Sequence, residues 1–126
     1  MAAIKKKKGG DFVVIFITAS SFKEAERIGK GLVKKGLAGC ANIIQPIRSI
    51  FFWKGKLCQE NEVLLLVKSR AGLFDSLMNY VKKNHSYKIP EIVAIPIVYG
   101  LPDYMAWLDE SCKPLPSGRM KYDYSN

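Results

Sequence analysis

The chain has 126 residues, a formal charge of +9 and a hydrophobic share of 48%. That length suits a single domain, and that share of apolar residues excludes wholesale disorder. No apolar run approaches the ~18 residues that cross a bilayer as a helix, so no membrane span is expected. Three cysteines at irregular spacing exclude a disulfide framework.

Residues 1–10 read as a flexible basic tail. Lys5 to Lys8 supply four of the positive charges, and Gly9, Gly10 and Asp11 follow where a secretory signal would need an apolar run. Without an export signal, the thiols are expected to stay reduced and the protein to be cytoplasmic. A tetralysine attracts polyanions without specificity, so no specific nucleic-acid partner is predicted.

Phe12 to Thr18 is a β-branched and aromatic run, the first strand. Ser21-Phe22-Lys23-Glu24 forms a capping box. Ala25, Ile28, Leu32 and Val33 follow at helical spacing, and Gly36 stands where a left-handed cap ends a helix over 22–35. Residues 38–53 make a long second strand, in which Pro46 requires a bulge or an edge position. Lys54-Gly55-Lys56 is a turn, and Glu62 to Ser69 is the third strand. Ala71 to Asn84 is a second helix with a stripe of Leu73, Phe74, Leu77, Met78 and Val81. A loop over 85–91 leads to the fourth strand, Ile92 to Tyr99, where Pro96 marks an edge or bulge. Pro102 opens a short third helix carrying Tyr104, Trp107 and Leu108. The domain thus spans 11–112, and 113–126 reads as a flexible tail.

The order is βαββαβ plus a terminal helix, an α+β, ferredoxin-like sandwich with both crossover helices on one face of an antiparallel sheet. The other face has no helix, yet Val63-Leu64-Leu65-Leu66-Val67 does not alternate with polar residues. Ile92-Val93-Ala94-Ile95 behaves alike, and Phe51-Phe52-Trp53 adds aromatic surface to both sides. Soluble monomers do not leave so large an apolar face wet, so a homo-oligomer is expected.

Four segments together resemble the CutA divalent-cation-tolerance family. They are Ala25-x-x-Ile28-Gly29-x-x-Leu32-Val33 running on to Leu37-Ala38-Gly39-Cys40-Ala41-Asn42-Ile43; Ser49-x-Phe51-x-Trp53-x-Gly55; His85-x-Tyr87-x-x-Pro90-Glu91; and Gly100-x-x-x-Tyr104-x-x-Trp107-Leu108. The match covers about residues 12–111. The resemblance implies a homotrimer with a ferredoxin-like subunit, PII-like in architecture, that responds to copper or other divalent cations and is not an enzyme. Ile17 stands where copper-binding members carry a cysteine beside the threonine that ends strand one, and Ser86 replaces the proline of a His-Pro-Tyr loop.

His85, the sole histidine, and Glu91 six residues on are the candidate metal ligands, imidazole and carboxylate being common donors. The other reading of His85 is a cap on the C-terminus of the second helix. No obligatory cofactor is predicted; the ligand would be Cu2+ or another divalent cation. The alternative is a PII-like signalling or scaffold trimer, which binds a small anionic ligand or a partner protein in intersubunit clefts. Trp53, Tyr87, Tyr104 and Trp107 are its cleft and interface candidates, and Lys68 and Arg70 its candidate anion residues. Cys40 as a nucleophile would need His85 as its base, and no phosphate cradle or Ser-His-Asp set is present, so no catalytic residue is assigned.

Overall fold

Residues 12–114 are described by a computed structural model of the chain. The basic tail of 1–10 lies outside them, as does the C-terminal tail beyond Pro114. In chain order the elements are β1 (Phe12–Ala19), α1 (Phe22–Lys34), β2 (Cys40–Trp53), β3 (Lys56–Arg70), a 3-10 turn (Ala71–Leu73), α2 (Phe74–Asn84), β4 (Ile92–Pro96) and α3 (Pro102–Ser111). The strands form one antiparallel sheet in the order β2-β3-β1-β4. This is the α+β, ferredoxin-like arrangement that the sequence predicts.

Residue parity divides the two faces. Ile15 lies opposite Val67 on β3 and Ala94 on β4, while Phe16 lies opposite Leu66 and Val93. Ile15, Ile17, Leu65 and Val67 form the core with Ile28 and Leu32 of α1 and Leu77 and Val81 of α2. Each large side chain fully buried there contributes about 1.5–3 kcal/mol. Val93 and Ile95 are half exposed on the opposite face. The apolar character read on both sides of these strands therefore corresponds to one packed face and one bare one. Among the described residues, α3 lies across one end of the sheet, where Arg70 donates to the Cys112 carbonyl at 3.2 Å and Leu108 packs against Gly39.

Both prolines predicted at edges or bulges sit on edge strands. Pro46 follows a cis peptide bond where the β2–β3 register shifts between Ile44 and Ile47. Pro96 ends β4, shorter than the predicted Ile92–Tyr99, although the Ile97 N–H still donates to the Phe12 carbonyl at 2.8 Å. β3 starts six residues earlier than predicted. Its first part is too polar to read as a strand, but it pairs with β2 in a hairpin that runs past the body of the domain, with Phe52 opposite Leu57 and Trp53 opposite Lys56. A two-residue turn, Lys54-Gly55, closes that hairpin with both φ angles positive, the geometry that matches strand twist.

Gly36 ends α1 at φ +72°, where its N–H reaches the Val33 carbonyl and the Leu37 N–H that of Leu32. This is a Schellman cap. A Cβ here would also strike the Lys113 carbonyl. Gly36→Ala is therefore expected to cost roughly 2–4 kcal/mol, the left-handed strain plus the clash. Gly55→Ala, at φ +78° in open space, should cost only about 1–2 kcal/mol. Urea denaturation at fixed protein concentration compares them, and equal losses would mean that the Lys113 contact adds nothing.

Candidate functional site

The site grows from the start of α1. Ser21 is the N-cap, and its hydroxyl accepts the Glu24 N–H at 3.1 Å. In a capping box the Glu24 carboxylate would reach back to the cap residue. Here it reaches one residue further: Oε1 accepts the Ser20 N–H at 2.9 Å and the Ser20 hydroxyl at 2.8 Å. Its other oxygen accepts the Ser86 N–H at 2.6 Å, from the loop after α2. A capping residue has become a tertiary clamp.

His85 sits behind that loop with its side chain fully buried. Nε2 is 2.7 Å from the Thr18 carbonyl at the end of β1, and Nδ1 accepts the Tyr87 N–H at 3.0 Å. A carbonyl can only accept, so Nε2 carries the proton and the ring is neutral in this arrangement. Both nitrogens of the candidate metal ligand are thus engaged. The predicted helix cap is made instead by Arg27, whose guanidinium donates twice to the Asn84 carbonyl, at 3.1 and 3.3 Å. The Tyr87 ring packs on His85 with centroids 4.8 Å apart, and its hydroxyl donates to Glu62 Oε2 at 2.6 Å. Burial and the neighbouring Glu62 carboxylate push the Tyr87 phenol well above its usual range.

These contacts build one wall of a cavity of about 560 Å³. Phe51 and Trp53 of the hairpin line it as well, on the face of the β2–β3 ribbon that carries Cys58 and Glu60. Glu60 and Glu62 of β3 and Glu91 of the loop bring three carboxylates to it, with Lys88 as a cation. Trp53 and Tyr87 from the cleft candidates and Glu91 from the metal candidates line this one cavity. Tyr104 and Trp107 do not join them within one subunit; they stack on each other on α3, with centroids 5.5 Å apart. Lys68 donates to Asn42 at 3.0 Å, and Arg70 lies 3.8 Å from Asp109, both near the α3 end of the sheet. Cys40 lies opposite Lys68 and Thr18 opposite Leu64, four residues apart along β3 and so about 13 Å. Cys40 is thus remote from His85, which bonds Thr18, and has no imidazole base. Among the described residues, no three or more His, Cys, Asp or Glu side chains group closely enough to hold a metal ion.

Glu60, Glu62 and Cys58 were not candidates from sequence. They alternate along one face of β3, a period-2 signal that only becomes visible once the strand is extended back to Lys56.

An antiparallel four-stranded sheet with paired helices on one face, a bare apolar second face and an acidic cavity lined in part by aromatic rings defines a ferredoxin-like domain of CutA type. Residues 13–111 match the family model described as CutA1 divalent ion tolerance protein, and the chain belongs to that family. It is 47% identical over 97 residues to the divalent-cation tolerance protein CutA of Archaeoglobus fulgidus, covering 77% of this chain and 94% of that one. Against the longer chloroplastic CutA 1 of rice, at 36% identity, the alignment covers 80% of this chain but 57% of the relative. A structure described as the periplasmic divalent cation tolerance protein CutA from A. fulgidus superposes with a TM-score of 0.79 at 45% identity, covering 81% of this chain and 99% of that one.

Glu24 allows a stability test. Burial alone would raise its pKa, but the hydrogen bonds from Ser20 and Ser86 outweigh it and bring the value from 4.5 down to about 2. A depressed carboxylate stabilises the fold above its unfolded pKa and loses that contribution as pH falls through the folded value. The stabilisation is thus complete above about pH 4.5 and lost towards pH 2. Glu24→Gln should lower stability at neutral pH by about 2–3 kcal/mol and flatten the acid limb in that window. Urea denaturation followed against pH reads both, and an unchanged acid limb would remove the clamp from the stability argument.

Proposed function

We propose that the chain acts as a non-enzymatic, homotrimeric divalent-cation-tolerance protein that takes a divalent cation such as copper(II) at the cleft beside residues 85–91. The observation that carries this reading is the sign of the cleft: a chain of net charge +9 presents three carboxylates to one cavity. Glu91 supplies a ligand oxygen from the loop. His85 contributes by holding that loop to Thr18, so that the two residues act together. A tight site needs three or four converging donors, which a second copy completes at the subunit edge.

Assembly is supported by apolar surface that no described element covers. Phe52 is 73% exposed and Leu57 60% on one side of the hairpin, and Val93 and Ile95 are half exposed on the bare face of the sheet. Patches of this kind belong to interfaces. No helix among the described residues is long and apolar enough to cross a membrane. A reducing compartment such as the cytoplasm suits three free cysteines. The alternative reading, a PII-like trimer that takes a small anion in this cleft, meets the wrong charge. Lys68 and Arg70, the anion candidates, already hold partners at the other end of the sheet.

Light scattering should give three times the subunit mass of 14.1 kDa. Calorimetric titration with copper(II) should show saturable uptake, weakened on the order of tenfold in both Glu91→Gln and His85→Ala while the trimer persists. Unchanged uptake in both variants would take the metal away from this loop.

A further inference from the structure

We propose that the outer face of the helix layer is a docking surface for the phosphate backbone of duplex DNA, bound without regard to base sequence. It stands apart from the cleft and from whatever the cleft takes. Its basis is how charge is divided among the described residues. Outside α1 and α2, seven lysines and arginines meet six carboxylates, close to balance. α1 with its cap Lys35, together with α2, carries seven cations against Glu24, Glu26 and Asp75. Glu24 is buried and already bonded to Ser20 and Ser86. Only two acids are left to offset seven cations on that face.

The cations are also aligned. Lys23, Arg27, Lys30 and Lys34 recur at i, i+4, i+7 and i+11, one line along α1. Ile28 and Leu32 turn to the core, so the line looks outward. It is about 16 Å long at the helical rise, about half of one duplex turn. Lys82 and Lys83 close α2 beside the start of that line, where Arg27 donates to the Asn84 carbonyl. Lys23, Lys82 and Lys83 are exposed and have no ion pair or hydrogen bond with another described residue. Lys30 meets Glu26 at 3.7 Å with both side chains in water, a pair that phosphate readily replaces. Assembly through the bare apolar face of the sheet leaves this layer outermost.

The chemistry selects the partner. A duplex carries one negative charge per ~1.7 Å, and lysines that neutralise it release condensed counterions. Ammonium groups meet phosphate as point charges. Reading base edges takes forked side chains in a groove, and the one fork here, Arg27, already spends both terminal nitrogens on Asn84. An anionic bilayer would attract the same charges, but a helix lying on lipid sinks apolar side chains into it. Of the large exposed hydrophobics among the described residues, only Phe22 belongs to α1 or α2.

The test is fluorescence anisotropy of a labelled DNA duplex with the full chain, from about 50 mM salt upward. Log affinity against log salt should fall with a slope of roughly −4 to −5, for four to six phosphates. Lys23→Gln/Lys30→Gln/Lys83→Gln should weaken binding about tenfold or more and make the slope shallower by about 2–3. Lys54→Gln/Lys56→Gln, at the hairpin turn, should leave both nearly unchanged. A chain with Lys5 to Lys8 changed to Gln should still bind, and should lose the same factor on adding the three helix substitutions. Circular dichroism and light scattering check that every variant folds and assembles as the parent does. Absence of DNA binding would overturn the inference, as would binding abolished by the tail substitutions alone. An equal loss per charge in the hairpin variant would do the same, because bulk charge would then suffice. Uptake by phosphatidylserine vesicles in place of DNA would give the face to a membrane and overturn it as well.

Discussion

The buried carboxylate of Glu24 is the point on which the cleft depends. It ties the β1–α1 junction, through Ser20, to the loop after α2, through Ser86. His85 then pins the same loop to the Thr18 carbonyl, and Tyr87 carries the connection on to Glu62 of β3. Three segments distant in sequence are thereby held in one arrangement by polar contacts that little water reaches. Such a network is strong when every member is satisfied and costly when one is removed. It also explains why a loop of seven residues can present Tyr87, Lys88 and Glu91 to a cavity without regular structure of its own.

Charge distribution adds a second constraint. The chain is strongly basic as a whole, yet the cavity beneath the hairpin is acidic, and most lysines and arginines lie elsewhere. Overall charge therefore says little about the ligand. At contact distance the nearest groups dominate, because charges further off are screened by water and salt. The positive excess governs what the protein meets non-specifically, whereas Glu60, Glu62 and Glu91 set the local charge of the cleft.

Much of the fold was legible in the sequence because its signals are local or periodic. The Ser21 cap, the α1 stripe, Gly36 and the prolines at 46 and 96 each act within a few residues, and each is found where its chemistry requires. The early half of β3 was not legible, since a hairpin arm with solvent on both sides needs no alternation and its strand state comes from pairing with β2. The site divides in the same way. Trp53, Tyr87 and Glu91, chosen from motif and residue type for two separate readings, line one cavity. The engagement of both His85 nitrogens was hidden, because Thr18 lies 67 residues away from it. Glu24 looked like a cap residue, and nothing local distinguishes a cap carboxylate from one that also holds a distant loop.

The hairpin has one further consequence. Trp53 and Phe52 are neighbours on β2, so their side chains leave the strand in opposite directions, one towards the cavity and the other into solvent. Whatever grips the outer side fixes the backbone from which the inner side hangs. Any coupling between occupancy of the cavity and engagement of the arm is reciprocal, since a thermodynamic cycle closes whichever step is taken first. A two-stranded arm with one side at the pocket and one outside sets both surfaces on a single backbone, so a shift of either is a shift of both.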